Sequence, residues 1–238
     1  MRWIENNSTD PYFNMSFDEW CLQHLPSDDV VFCLWRNRPS VIIGITQNPV
    51  TEVNLEYLRK QGIDLVRRST GGGAVYHDLQ NLNYSFYGPV DVMDGRIVEA
   101  MAGALRSFGV PAEVSGRNDI FVDGHKVSGY AKRVWKNRAI VHGTLMYDVD
   151  IDTLTRVLDT PESKLHRKGV ASVRSRVTNL KDLLPFGSLD EFQAALHSHF
   201  ACGDAEIVLT DSQKENIQEI NSSKYSTPEW INGRFEQQ

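Results

Sequence analysis

Cysteine is scarce in this sequence, and its three copies, Cys21, Cys33 and Cys202, form no CxxC pair. That excludes a cysteine zinc site and a disulfide framework, and it favours a reducing compartment. Long apolar runs are absent too. No stretch approaches the roughly 18 residues a membrane span needs, and the N-terminal "MRWIENNSTDPYFNMSFDEW" has no apolar core of signal-peptide length. Nor is there an excess of positive charge: 31 acidic against 25 basic side chains leave a net charge of −6, which argues against a nucleic-acid binder. Internal repeats and low-complexity linkers are missing. A cytoplasmic protein with neither a membrane nor a nucleic-acid partner is expected. The 238 residues, 41% hydrophobic and 24% charged, suit a globular chain with a substantial core.

Local patterns divide the chain into short elements. Asn14 is placed to cap a first helix through "MSFDEWCLQHL", burying Phe17, Trp20 and Cys21. "DDVVFCLWR" and "PSVIIGIT" are β-branched runs separated by "NRP". Pro49 opens a helical "VTEVNLEYLRKQG" that Gly62 stops, and strands "IDLVRR", "AVYHD" and "LNYSFYG" follow. Helical spacing of apolar residues from Asp94 to Phe108 ends at Gly109 and Pro111. Asp123-Gly124 marks a two-residue hairpin, after which "RAIVHGTLMYDVD" is a strand. Ser188 and Glu191 have capping-box spacing before "LDEFQAALHSHF"; the polar remainder suits one strand, one helix and an anchoring Trp230. Hairpin-like strands with interspersed helices predict an α+β fold on a mixed or mostly antiparallel sheet.

"RRSTGGGAVYHD", Arg67 to Asp78, sets three adjacent glycines between charged residues. There is no G-x-x-x-x-G-K-[ST], and the glycines run into a strand rather than opening a helix, so the P-loop and dinucleotide fingerprints fail on context. Two readings remain. One is a plain turn beside a surface arginine pair; the other is a loop whose N–H groups face an anion, with an arginine adding charge. The hairpin "DIFVDGHKV" pairs Phe121 with Lys126 and Asp119 with Ser128, so Lys126, Asp119 and Ser128 share a face opposite Ile120, Val122 and Val127. Lys126 is then either a solvated strand lysine or a cation holding developing negative charge. The run "KLHRKGVASVRSRVTNL" carries Lys164, Arg167, Lys168, Arg174 and Arg176 without an acid, which suits a solvated face or a site for a polyanion.

Together these segments resemble the lipoate–protein ligase family. The resemblance rests on "RRSTGGGAVYHDLQNLNYSF", "GRNDIFVDGHKVSGYAKR", "VHGTLMYDVDIDTL" and "KGVASVRSRVTNL", in the family's order, and covers roughly residues 10 to 200. It implies a biotin/lipoate ligase-like sheet flanked by helices. It also implies a two-step, Mg²⁺-assisted reaction in which lipoate and ATP give lipoyl-AMP. The lipoyl group then passes to a lysine of a 2-oxoacid dehydrogenase E2 subunit or glycine cleavage H protein. By motif position, Lys126 is the expected catalytic residue and Arg68 the nucleotide arginine, with Arg67 turned to the core's edge. Gly71, Gly72, Gly73, Ala74, Val75 and Tyr76 are the expected adenylate and lipoyl-binding segment. Asn83, Ser128, Gly129, Ala131 and His142 join that set, and Asp119 is the expected Mg²⁺ contact. His77 and His142 also suit a role as hydrogen-bonded supports.

Relatives that transfer octanoyl or lipoyl groups without ATP use a cysteine nucleophile. Here "PAEVSGRNDIF" has none where one such class carries it, and Cys21, Cys33 and Cys202 are poorly placed. Two-domain ligases continue past a motif like "KYSTPEWINGR"; residues 1–238 are therefore read as one catalytic domain, with 203–238 a terminal extension and no accessory domain. That leaves alternatives beside the ligase: a transferase using preformed lipoyl-AMP, dependence on a separate accessory protein, an ATP-independent transferase, or a non-catalytic lipoate binder.

Overall fold

The structure is a computed structural model that describes residues 1–26, 28–93, 95–115, 119–158, 176–201 and 206–233. The first helix, α1 (Pro11–His24), begins earlier than Asn14: Asp10 is the N-cap, accepting from Tyr12 N and Phe13 N, with Pro11 in the first turn. "DP" was the stronger start signal, because proline's fixed φ suits N1 and its missing N–H costs nothing there. Asn14 instead lies buried, with a structural task described below.

Eleven strands among the described residues form two sheets. The large sheet contains β1 (Arg2–Ile4), β2 (Val31–Trp35), β6 (Asn81–Pro89), β7 (Ala112–Ser115), β8 (Asp119–Val122), β9 (His125–Trp135), β10 (Arg138–Met146) and β11 (Glu206–Ile207). Its order is β11-β1-β2-β6-β10-β9-β8-β7, parallel from β11 to β2 and antiparallel beyond. The expected mixed, mostly antiparallel α+β architecture is what the chain adopts. Side chains alternate across β2, as strand geometry demands. Phe32 and Leu34 face a core closed by α4 (Gly95–Ser107) and α6 (Leu189–Phe200), whereas Val31, Cys33 and Trp35 face α1. The capping expected at Ser188 is half realised: its Oγ accepts from Glu191 N at 3.2 Å, but Glu191 Oε2 accepts from Gly187 N.

The small sheet holds β3 (Ser40–Ile43) between β4 (Asp64–Arg67) and β5 (Val75–His77), in the order β4-β3-β5. Between β3 and β4 the expected single helix is two, α2 (Pro49–Glu52) and α3 (Leu55–Gln61), because extended Val53 interrupts it and Asn54 caps Tyr57 N. After β10 comes α5 (Ile151–Val157).

The C-terminal segment comprises α7 (Asp211–Ile220), a π-helical turn (Asn221–Tyr225) and α8 (Pro228–Asn232). It is tied to α1 through Glu19, which receives Lys224 Nζ at 2.6 Å and the Tyr225 hydroxyl. Burial alone would raise the Glu19 carboxyl, yet the Lys224 and Tyr225 hydrogen bonds and the Arg133 charge hold it below its ordinary 4.5. A depressed carboxylate contributes stability above its unfolded pKa and loses it as pH falls through the folded value. Glu19→Gln is therefore expected to cost about 2 kcal/mol at neutral pH, with the deficit closing below pH 4.5. Urea midpoints measured across that range check it; a deficit independent of pH would remove the carboxylate from the account.

Candidate active site

The glycine loop is no hairpin turn. Strand β4 runs parallel to β3 and β5 antiparallel to it, on opposite sides. The connection must therefore cross two strand spacings, about 10 Å, over the end of β3. At the crossing it passes Gly44: a Cβ there would sit 2.3 Å from Gly72 O. Gly72 itself has φ 97°, in the left-handed region. The plain-turn reading fails on topology.

The two arginines hold opposite sides of this loop. Arg67 is 1% exposed. Its guanidinium donates to Gly44 O, Ile45 O and Gln47 O on one side and to Trp230 O, Ile231 O and Asn232 O on the other. The Trp230 indole returns a bond to Arg67 O at 2.9 Å. Arg67 thus joins the C-terminal segment to the root of the loop, a structural role consistent with the expectation that it turns away from the site. Arg68 donates to Ile42 O, twice to Gly71 O and to Gly73 O. Four of the five guanidinium N–H groups are so engaged, leaving one. Burial pushes its pKa down to about 10, so the cation persists at neutral pH, and it forms no ion pair with another described residue. A buried positive charge without an anionic partner lines the cleft.

Two clefts meet beside the loop. The first, a cavity of about 120 Å³, lies among Met15, Trp35, Ile42, Arg68, Gly72 to Val75, His77, Asn83, Lys126, Gly129, Ala131, His142 and Thr144. The second, of about 530 Å³, includes Tyr76, Asn81, Asp119, Phe121, Met146, Leu154 and Arg176. Ala74, Val75, Lys126, Gly129 and Thr144 line both. Lys126 stands at this junction with its Nζ 2.6 Å from Asp119 Oδ1, and Gly129 leaves room for it: a Cβ there would lie 2.9 Å from Nζ.

The hairpin turn is as expected, with Asp123 and Gly124 both at positive φ and Phe121 opposite Lys126. Its register beyond is not. An irregularity between Ile120 and Phe121 pairs Asp119 with Gly129 and Ile120 with Ser128. Ser128 consequently turns into the core beside Tyr84, fully buried, and does not line either cleft. Gly71 contributes its carbonyl to Arg68 rather than lining the cleft.

Sequence reasoning missed a buried polar network behind the first cleft. His142 is engaged at both nitrogens, Nδ1 against Asp18 Oδ2 at 2.7 Å and Nε2 against Thr70 Oγ1 at 2.8 Å. Asp18 Oδ1 accepts from Ser85 Oγ and the Tyr87 hydroxyl, and the Trp35 indole donates to Ser85 Oγ. Asp18 and Thr70 carried no usable signal, since their partners lie on β6 and β10, far along the chain. Burial pushes the Cys21 and Cys33 thiols well above their ordinary range, which removes both as ready nucleophiles. Cys202, the "GRN" before Asp119, and Lys164, Arg167, Lys168 and Arg174 lie outside the described residues; Arg176 is exposed at the second cleft.

The family described as lipoyl protein ligase A/B catalytic domain matches residues 10–201. Lipoate-protein ligase LplJ of Bacillus subtilis is 40% identical over 248 residues, covering 98% of this chain and 74% of that protein. Among solved structures, the bi-partite lipoate protein ligase of Thermoplasma acidophilum, reported with its E2 lipoyl domain, aligns with TM-score 0.87 and 32% identity over 97% of this chain and 96% of that one. A lipoate-protein ligase A structure bound with ATP aligns with TM-score 0.85 and 30% identity over 98% of each chain.

Proposed function

This chain belongs to the lipoyl protein ligase family, and from that premise we propose that it is an ATP-dependent lipoate–protein ligase acting on lipoyl acceptor domains in the cytoplasm. The observation that carries the reading is the meeting of two clefts at Lys126. A two-step acyl transfer needs a slot for an acyl chain, a second space for a nucleotide, and one cation where carboxylate and phosphate come together.

In the first step a lipoate carboxylate oxygen bonds to the α-phosphorus of ATP and the bond to pyrophosphate breaks. Lys126 offsets the repulsion between the two anions, and holding them together at the junction removes much of the entropic cost. In the second step the acceptor lysine's amine bonds to the acyl carbon, AMP leaves, and the amine's proton departs with it. Arg68, braced on Gly71 O and Gly73 O, keeps the loop from Gly72 to Val75 in place; it lines the first cleft, so its place is on the acyl side rather than with the nucleotide as its motif position implies. Asn83, Ala131 and His142 wall the acyl slot, and Tyr76 belongs to the nucleotide side.

Among the described residues no three His, Cys, Asp or Glu side chains gather as a metal cage, and Asp119 is the one carboxylate lining either cleft. Magnesium therefore fits as a nucleotide complex with Asp119 as its protein contact, and when bound it would neutralise phosphate charge. Residues 10–201 and the extension that docks on them through Arg67 and Glu19 act as one catalytic unit. Among the described residues no helix is long and apolar enough to cross a membrane.

Purified protein given an apo-lipoyl domain, lipoate and Mg-ATP is expected to add one lipoyl group, read by intact mass, as is a parallel sample given lipoyl-AMP. Modification in the second sample alone would replace the ligase with a transferase or point to a separate accessory protein. Turnover of octanoyl-carrier protein without ATP would overturn the adenylate route altogether.

A further inference from the structure

His77 lines the first cleft, and its buried Nε2 has no hydrogen-bond partner among the described residues. Its protonation can be derived from backbone groups whose roles are fixed. Ser8 N donates to Asn6 Oδ1, so Asn6 Nδ2 faces and donates to Asn14 Oδ1 at 3.0 Å. Asn14 Nδ2 then shares its two N–H groups among Ser8 O, Arg36 O and, at 2.8 Å, Asn37 Oδ1, so Asn37 turns its oxygen rather than its nitrogen toward Asn14. Asn37 Nδ2 is left to donate to His77 Nδ1 at 3.0 Å. A neutral imidazole accepting at Nδ1 carries its proton on Nε2. Burial, with Arg68 and His142 nearby, pushes the imidazolium down to about 3, so the ring stays neutral. Three asparagines thus set the tautomer of a cleft-lining histidine whose Nε2–H has no acceptor among the described residues, whereas neighbouring His142 is satisfied at both nitrogens. A buried donor left unpaired is destabilising, and a ligand that pairs it recovers that loss.

The end of the cleft it occupies follows from strand register. Trp35 pairs with Asn83, Asn83 with Thr144, and Gly129 N donates to Thr144 Oγ1. All four line the cleft, so it runs across three strand spacings, about 14 Å, from Lys126 beside Gly129 to Trp35, whose ring centroid lies 6.2 Å from that of His77. With the reacting carboxyl in hydrogen-bond reach of Lys126, an extended eight-carbon acyl chain runs toward the Trp35 and His77 end of the cleft.

We propose that His77 is a specificity-determining residue that selects a lipoyl over an unfunctionalised octanoyl chain by donating its Nε2–H to a sulfur of the dithiolane ring. The inference rests on the ligase reading for the identity of the acyl group. Sulfur is a weak acceptor, so the discrimination is modest, about tenfold. Octanoate, with no acceptor at that end, leaves the N–H unpaired.

Calorimetric titration of lipoate and octanoate into the intact protein and into His77→Phe tests this. The preference for lipoate is expected to fall about tenfold in the variant; an unchanged ratio of the two affinities overturns the assignment while leaving the ligase reading intact. Binding of neither acid nor lipoyl-AMP by the unsubstituted protein overturns both. Should His77→Phe fail to fold, imidazole ¹⁵N resonances of the unsubstituted protein decide. Saturating lipoate is expected to shift the His77 Nε2–H signal and octanoate is not; equal shifts with both refute the proposal.

Discussion

Lys126→Ala is expected to lower lipoyl transfer by about 10³-fold, from lipoate with ATP and from preformed lipoyl-AMP alike. Both steps pass through the junction of the two clefts, and among the described residues Lys126 is the one lysine lining either of them. In the first step its loss leaves carboxylate and phosphate repelling each other without compensation. In the second it removes the cation beside the acyl carbonyl. Lys126→Arg is not expected to restore the rate, because the planar fork needs more width than the gap between Gly129 and Asp119 allows. Single-turnover transfer measured with each donor checks this. A variant that transfers from lipoyl-AMP at the original rate would confine Lys126 to adenylation, and unchanged rates with both donors would remove it from the chemistry.

Gly44→Ala is expected to reduce kcat/KM about 10²-fold while the protein still folds. The added methyl would meet Gly72 O at 2.3 Å, a backbone atom that cannot rotate away. Relief requires the glycine loop to lift by about 1 Å, which loosens the Arg68 bonds to Gly71 O and Gly73 O. The loss falls on ligand positioning rather than on the core, so the denaturation midpoint should fall far less than at a core site such as Phe86. Steady-state kinetics beside urea unfolding separates the two. A variant with ordinary kinetics would mean that the loop can shift without consequence, and its close approach to β3 would lose the role given to it.

Several features were legible because the information is local. The Asp123-Gly124 turn is encoded by two residues tolerant of positive φ, and both adopt it. The helix expected across Ile97, Met101 and Leu105 depends on one periodicity, and the structure buries those residues on one face. The start of the first helix is local information too: Asp10 caps it and Pro11 suits its first turn, a stronger signal than Asn14 alone. The register of β8 and β9 was not recoverable in the same way. A bulge inserts one residue into a ladder, and the strand on either side of it reads equally well with or without it.

The sequence by itself determined the chemistry available here: a glycine triplet without a P-loop, a lysine on a strand after a two-residue turn, and no cysteine within the ligase-like motifs. Tertiary structure decided what each group does. Arg67 and Arg68 are adjacent and chemically identical, yet one binds the carbonyls of the C-terminal helix and the other those of the loop, because successive strand residues face opposite sides. Whether the triplet was a turn or a bridge depended on the placement of β3 between β4 and β5, a pairing no local pattern encodes. The N–H of His77, unpaired among the described residues, sits on Nε2 because Asn6, Asn14 and Asn37, spread along the preceding chain, link in a series that ends at its Nδ1. Hydrogen-bond direction is a property of such closed networks, and it exists only once distant segments have met.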